Sequence, residues 1–136
     1  MILTGHQPNY LPYPGFFEKI LQADLFLLVD TVQFVKRGEF GWIHRNRVRT
    51  PAPEGWSWLT VPVVTHGRYF QSILETKIDG RLPWRRKHWG TIQGLYRDAP
   101  GFPEFGPTLK GIYAREWESL AELNETLIRE ILGFLG

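Results

Sequence analysis

The chain has 136 residues, 43% of them apolar and 15% aromatic, with 16 Lys and Arg against 14 Asp and Glu, 10 prolines and no cysteine. That length buries roughly 68–70% of the surface an unfolded chain exposes, enough for one compact domain over residues 1–136 without cross-links. Disulfides and thiolate-held metals are excluded, and no apolar run reaches the ~20 residues of a bilayer span.

Met1 to Thr4 is an apolar start that leads into His6-Gln-Pro-Asn-Tyr-Leu-Pro-Tyr-Pro-Gly15, where Pro8, Pro12 and Pro14 forbid regular helix or central strand. The spacing reads as a strand followed by a stiff loop. From Pro14, the residues Phe16, Phe17, Ile20 and Leu21 recur at helical intervals and predict a short helix over 14–22 with proline in its first turn. Leu25-Phe-Leu-Leu-Val29, between Asp24 and Asp30, reads as a strand covered on both faces. Strand, loop, helix and strand make a βαβ unit in a small mixed or parallel sheet.

Trp56 to Val63 alternates as a strand that Pro62 ends or confines to an edge. Residues 69–78 read as a further strand or extended segment, and Pro83 to Arg97 as a helix with Trp84, His88, Ile92, Leu95 and Tyr96 on one stripe. The segment 98–107 reads as a turn. Leu109, Ile112, Tyr113, Trp117, Leu120, Leu123, Leu127, Ile128 and Ile131 then predict one long helix or two stacked ones, closed by Gly133 and Gly136. The expected class is therefore α/β, an N-terminal βαβ unit with C-terminal helices packed on it.

Ligands of such sheets bind beyond the carboxyl ends of the strands, where the proline loop and Asp30 both fall. His6 is held there by a loop of little freedom, which suits a general base, and Asp30 is placed to orient it. The structural alternatives are an imidazole bonded to loop backbone and an ordinary turn aspartate. Asn9 shares the loop.

Positive charge concentrates in 34–50, where Lys36, Arg37, Arg45, Arg47 and Arg49 face Glu39 alone. If that segment is extended, Arg45, Arg47 and Arg49 line one face as phosphate-binding forks, with Asn46 between them to orient a ligand. The other reading is a solvated surface strand. Interleaved Phe34, Phe40 and Trp42 make base stacking conceivable, but a net charge of +2 argues against nucleic acid as a partner. Trp42 is the tryptophan best placed to bind; Trp84 and Trp117 lie on helix stripes and read as core. The histidines at 6, 44, 66 and 88 lack metal-ligand spacing, and no P-loop, nucleophile elbow or dinucleotide fingerprint is present.

The strings His6 to Ile20, Ala23 to Asp30, Val32-Gln-Phe34, Lys36-Arg37 and Arg45-Asn-Arg47 resemble the N-terminal part of the bacterial WbqC-like family, as do Trp58-Leu-Thr-Val-Pro62 and the Trp84 to Tyr96 segment. The resemblance implies a setting in surface-polysaccharide or O-antigen precursor synthesis, and a start without the basic and apolar pattern of a signal peptide makes a cytoplasmic location the expectation. The resemblance also leaves open a homo-oligomer or a further C-terminal part that completes the site. Within that setting the residues themselves suggest transfer of an activated group to a nucleotide-linked sugar, with catalysis at His6 and Asp30 and substrate bound by Asn9, Lys36, Arg37, Trp42, Arg45, Asn46 and Arg47. No cofactor is named by any motif. A phosphorylated-ligand binding or scaffold module is the rival reading; a nucleotidyltransferase-like activity is a fold analogy.

Overall fold

The structure is a computed structural model in which residues 1–38 and 41–136 are described. Glu39 and Phe40, read above as the lone acid and a stacking ring of the basic stretch, lie outside the described residues.

Strand β1 (Leu3–His6) pairs in parallel with β2 (Leu25–Leu28), with Leu3 opposite Leu25 and His6 opposite Leu28. Helix α1 (Pro14–Gln22) crosses between them. Its Pro14 needs no intrahelical N–H partner, and the Phe16 amide donates to the Tyr13 carbonyl at 3.0 Å to start the first turn. This is the βαβ unit expected. A side chain on Gly15 would meet the Tyr13 ring at 2.7 Å, so glycine there lets that ring fold back over the helix start.

The expectation that β2 is covered on both faces is corrected. Leu25 and Leu27 are 50% and 49% exposed, and Leu3 on β1 is 57% exposed. Only the Phe26 and Leu28 side of β2 packs, on a cluster of Phe16, Phe17 and Ile128. Hydrophobic run length reports apolar character but cannot say that both sides find a neighbour.

A second, antiparallel pair joins β3 (Arg45–Arg49) to β4 (Trp56–Thr60), with Arg47 opposite Trp58 and Arg49 opposite Trp56. Pro62 follows the end of β4, as its missing donor requires. The strand or extended segment expected over 69–78 is corrected: turns at 69–70 and 73–75 break it, and it is tied by single bridges, Gln33 to Ser72, Val63 to Ile78 and Lys77 to Ser119.

Three helices close the chain: α2 (Trp84–Tyr96), α3 (Phe102–Ala114) and α4 (Leu120–Leu135). The turn expected over 98–107 is shorter than its Pro and Gly content suggested, because α3 begins at Phe102. Pro103 sits in the first turn, where its missing N–H costs nothing, and Pro107 is tolerated one turn on. Gly106 abuts the Phe102 ring, which a side chain there would meet at 2.9 Å. Gly133 lies inside α4 rather than ending it. The Ser119 hydroxyl caps α4 by accepting from the Glu122 amide at 3.2 Å.

Helix α4 links the two halves of the core. Ile128 joins the cluster under β2, while Leu120, Leu123 and Leu127 belong to the larger cluster with Leu59 and Val61 of the β4 region, Ile92 of α2 and Leu109 and Ile112 of α3. Trp84 and Trp117 lie in that cluster, as their helix stripes predicted. No described helix is long and apolar enough to cross a membrane.

Candidate functional site

The proline loop after β1 is held against β3 by hydrogen bonds from three elements. The Tyr10 amide donates to the Ile43 carbonyl at 3.1 Å. Asn124 of α4 is fully buried, and its amide group donates both to Pro8 O at 3.0 Å and to Ile43 O at 2.8 Å. Asn46 of β3 donates to the Leu11 carbonyl and accepts from the Arg47 amide at 2.7 Å. Leu11 itself sits at φ 45°, a left-handed conformation that costs a branched residue about 1–3 kcal/mol and persists only where neighbours enforce it. The loop is therefore fixed on the β3 side with its strain held in place.

That docking leaves a cavity of about 490 Å³ between loop and strand, lined by His6, Gln7, Asn9, Pro12, Tyr13, Trp42, Asn46 and Arg47. Five residues singled out in the sequence, His6, Asn9, Trp42, Asn46 and Arg47, thus share one wall-to-wall space. Gln7, Pro12 and Tyr13 were not singled out. Their neighbours in the motif were the only local signal, because a loop residue's direction depends on the strand it docks against.

The chemistry of the lining follows from hydrogen-bond valence. The His6 ring makes its Nδ1 contact with the Gln7 carbonyl at 2.8 Å, and a carbonyl only accepts. Nδ1 therefore carries the proton in the neutral ring and Nε2 keeps its lone pair. The ring is also fixed edge-on to Phe16, with centroids 5.0 Å apart. Asn9 is buried, and its Oδ1 has no hydrogen-bond partner among the described residues. A buried carbonyl oxygen left unpaired costs about 1–3 kcal/mol and is satisfied by a donor arriving from the cavity.

Arg47 lies among three indoles, its guanidinium carbon 5.0 Å from the Trp42 ring centroid, 4.9 Å from Trp56 and 5.6 Å from Trp58. Stacking orients the planar fork while leaving its edge donors free, which suits paired bonds to phosphate or carboxylate. Arg45 behaves differently. It lies 4.0 Å over Trp58 and donates from Nε to the Gly41 carbonyl at 2.9 Å, away from the cavity lining. Guanidinium groups thus cover the indole faces that base stacking would need.

The remaining sequence candidates stand apart. Lys36 and Arg37 are exposed on the segment before β3, outside the cavity lining. Asp30 faces Glu125 of α4, whose carboxyl is pushed up to about 7, chiefly by burial and further by the proximity of Asp30. The orienting role read for Asp30 falls to the Gln7 carbonyl in this geometry.

A second histidine environment lies inside the core. His88 Nε2 contacts Thr60 O at 3.0 Å, so Nε2 is the protonated nitrogen and Nδ1 accepts from the Tyr10 hydroxyl at 2.7 Å. The Tyr10 hydroxyl in turn accepts from Tyr113. Burial pushes His88 down to about 4 and Tyr10 and Tyr113 well up, so the chain stays neutral at ordinary pH. His44 is likewise lowered to about 4, by burial and by the charges of Arg45 and Lys36.

Comparison with known proteins places this geometry in context. Residues 7–136 match the WbqC-like protein family. An uncharacterized protein of Mycobacterium tuberculosis is 39% identical over 131 residues, which is 96% of this chain and 54% of the relative. The chain thus spans about half the length of the curated relative it matches. No solved structure matches it.

Proposed function

From the premise that the chain belongs to the WbqC-like protein family, we propose that the cavity between the proline loop and β3 binds a nucleotide-linked sugar and supports transfer of an activated acyl group to it. The setting proposed is cytoplasmic synthesis of bacterial surface-polysaccharide precursors. The observation that carries this reading is the meeting of an oriented imidazole, an unpaired buried amide oxygen and a stacked guanidinium around one space of about 490 Å³.

In this reading Arg47 takes the diphosphate with its paired donors, and Trp42, in the cavity wall, packs against the sugar. Asn9 Oδ1 accepts a hydrogen bond from the acceptor's amino or hydroxyl group and so aims its lone pair. That nitrogen or oxygen attacks the activated carbonyl; a C–N or C–O bond forms and the bond to the leaving group breaks. His6 Nε2 takes the proton released and returns it to the departing group. Lys36 and Arg37, on the segment leading to β3, draw the anionic ligand in from a distance.

Calorimetric titration with uridine and thymidine diphosphate sugars bearing a free amino or hydroxyl group tests the binding half. The expected result is binding that weakens at least tenfold in Arg47→Ala. For the chemical half, His6→Ala is expected to lower turnover by about 10²-fold with an unchanged thermal midpoint. A folded His6→Ala protein with normal turnover removes the base assignment. Binding without turnover across acyl donors makes the chain a binding module instead.

A further inference from the structure

Beside the polar cavity lies a second one of about 460 Å³, walled by Ile92 and Tyr96 of α2, Phe102, Phe105 and Leu109 of α3, and Phe134 near the end of α4. Pro12, Tyr13, Asn46 and Arg47 line both cavities. The two spaces are thus neighbours across one partition, with a cationic fork at the partition and aromatic and aliphatic side chains beyond it. A volume of this size, almost wholly apolar with a charged group at its mouth, suits the hydrocarbon part of an amphiphile whose anionic head stays outside.

We propose that the α2–α3–α4 cavity receives an aliphatic chain belonging to the same ligand whose phosphate rests on Arg47. This deepens the function proposed above, on which it rests: the acyl group or carrier is a hydrocarbon chain rather than a small polar unit. Three observations converge on that occupant. Apart from the Tyr13 and Tyr96 hydroxyls, the cavity's side chains offer hydrogen bonds only at its Asn46 and Arg47 edge, so a polar ligand would recover few of the bonds it loses to water. Asn46 has its amide already engaged with Leu11 and Arg47, which leaves Arg47 as the charged residue at this edge. The partition is anchored, since Leu11 is held by Asn46 and the Tyr13 ring is seated over Gly15, so one rigid edge separates head from tail.

A series from inorganic phosphate through n-butyl, n-hexyl, n-octyl and n-decyl phosphate, kept below micelle concentrations, tests this by calorimetry. Each methylene moved from water into the cavity is expected to tighten binding by about three- to fourfold until the space is full. Ala99 sits in the turn between α2 and α3 and lines the cavity. Ala99→Phe narrows it and is expected to shorten the rise in affinity between butyl and decyl phosphate, with circular dichroism confirming the fold. Arg47→Ala is expected to weaken every member by a similar factor while keeping the slope. A flat series in the unaltered protein, with phosphate still lost in Arg47→Ala, overturns the hydrocarbon site and leaves the sugar-nucleotide reading standing. A rise left undiminished by Ala99→Phe, or a series whose members all bind Arg47→Ala normally, overturns the single-ligand assignment, and the second of these removes Arg47 as the head-group site as well.

Discussion

Two polar regions of this molecule use the same residue types to opposite ends. In the core, Tyr113, Tyr10, His88 and the Thr60 carbonyl form a directed chain in which every ring nitrogen and hydroxyl has a partner. Around the loop cavity, neither His6 Nε2 nor Asn9 Oδ1 has a partner among the described residues. A closed chain contributes only to the fold, because its valences are spent. An open one is a stability cost that makes sense where something else arrives to complete it.

The largest test of the buried imidazoles, His88 within that chain and His44 outside it, is acid. His88 and His44 titrate near 4 in the folded protein against about 6.5 when unfolded. A depressed imidazole pKa means the unfolded chain binds more protons between those values. Stability is therefore complete above pH 6.5 and is lost as pH falls toward 4. At pH 4.5 the two rings together cost on the order of 5 kcal/mol. Urea unfolding at pH 7, 5.5 and 4.5 reads it directly; a flat profile over that range would show that water reaches both imidazoles.

Paired asparagines sharpen the contrast. Asn124→Ala strips the donors from the Pro8 and Ile43 carbonyls and releases the loop from α4, so a loss of about 2–3 kcal/mol is expected. Asn9→Ala removes an oxygen that bonds to nothing among the described residues, and its effect on stability is expected within about 1 kcal/mol of zero. Ligand binding should follow the reverse order, with Asn9→Ala the more damaging once Asn124→Ala is measured under conditions where it is folded. Equal destabilisation by both would mean that Asn9 is a structural residue.

What the sequence made legible divides along the same line. The βαβ unit, α2 and β4 were readable because their signals are local: a proline at a helix start, an apolar stripe, alternation from Trp56 and Trp58 onward. The N-terminus of α3 was hidden because Pro103, Gly106 and Pro107 carry turn chemistry, and only the Phe102 ring lying on Gly106 shows why a helix accepts them. The bare face at Leu25 and Leu27 was hidden for the opposite reason, since the run is apolar whether or not anything covers it. Five of the cavity's lining residues were named from the loop and strand motifs. The tie that brings those motifs together was not, because Asn124 reaches Pro8 across 116 residues, and no spacing rule operates at that separation.

Glu125 lies between the two regimes and gives the smallest effect. It is half-buried on α4 beside Asp30 at the end of the parallel sheet, and its carboxyl rises to about 7 from an ordinary 4.5, chiefly through burial. Here the folded state binds more protons than the unfolded one between pH 4.5 and 7, so stability declines as pH rises through that window, opposite in sign to the histidines. Partial exposure screens the interaction, which leaves a net effect of about 1 kcal/mol, or about 2–4 °C in thermal midpoint. Over pH 5 to 7 the two histidines raise the stability of either protein, so the reading is the difference between them. Glu125→Gln keeps a hydrogen-bond donor toward Asp30 without the charge, and its midpoint should pull ahead of the unaltered protein's by that margin as Glu125 ionises against Asp30 over this interval. If the two midpoints stay parallel, the carboxyl pair is open to solvent and belongs with the cavity's unspent valences rather than with the sealed core.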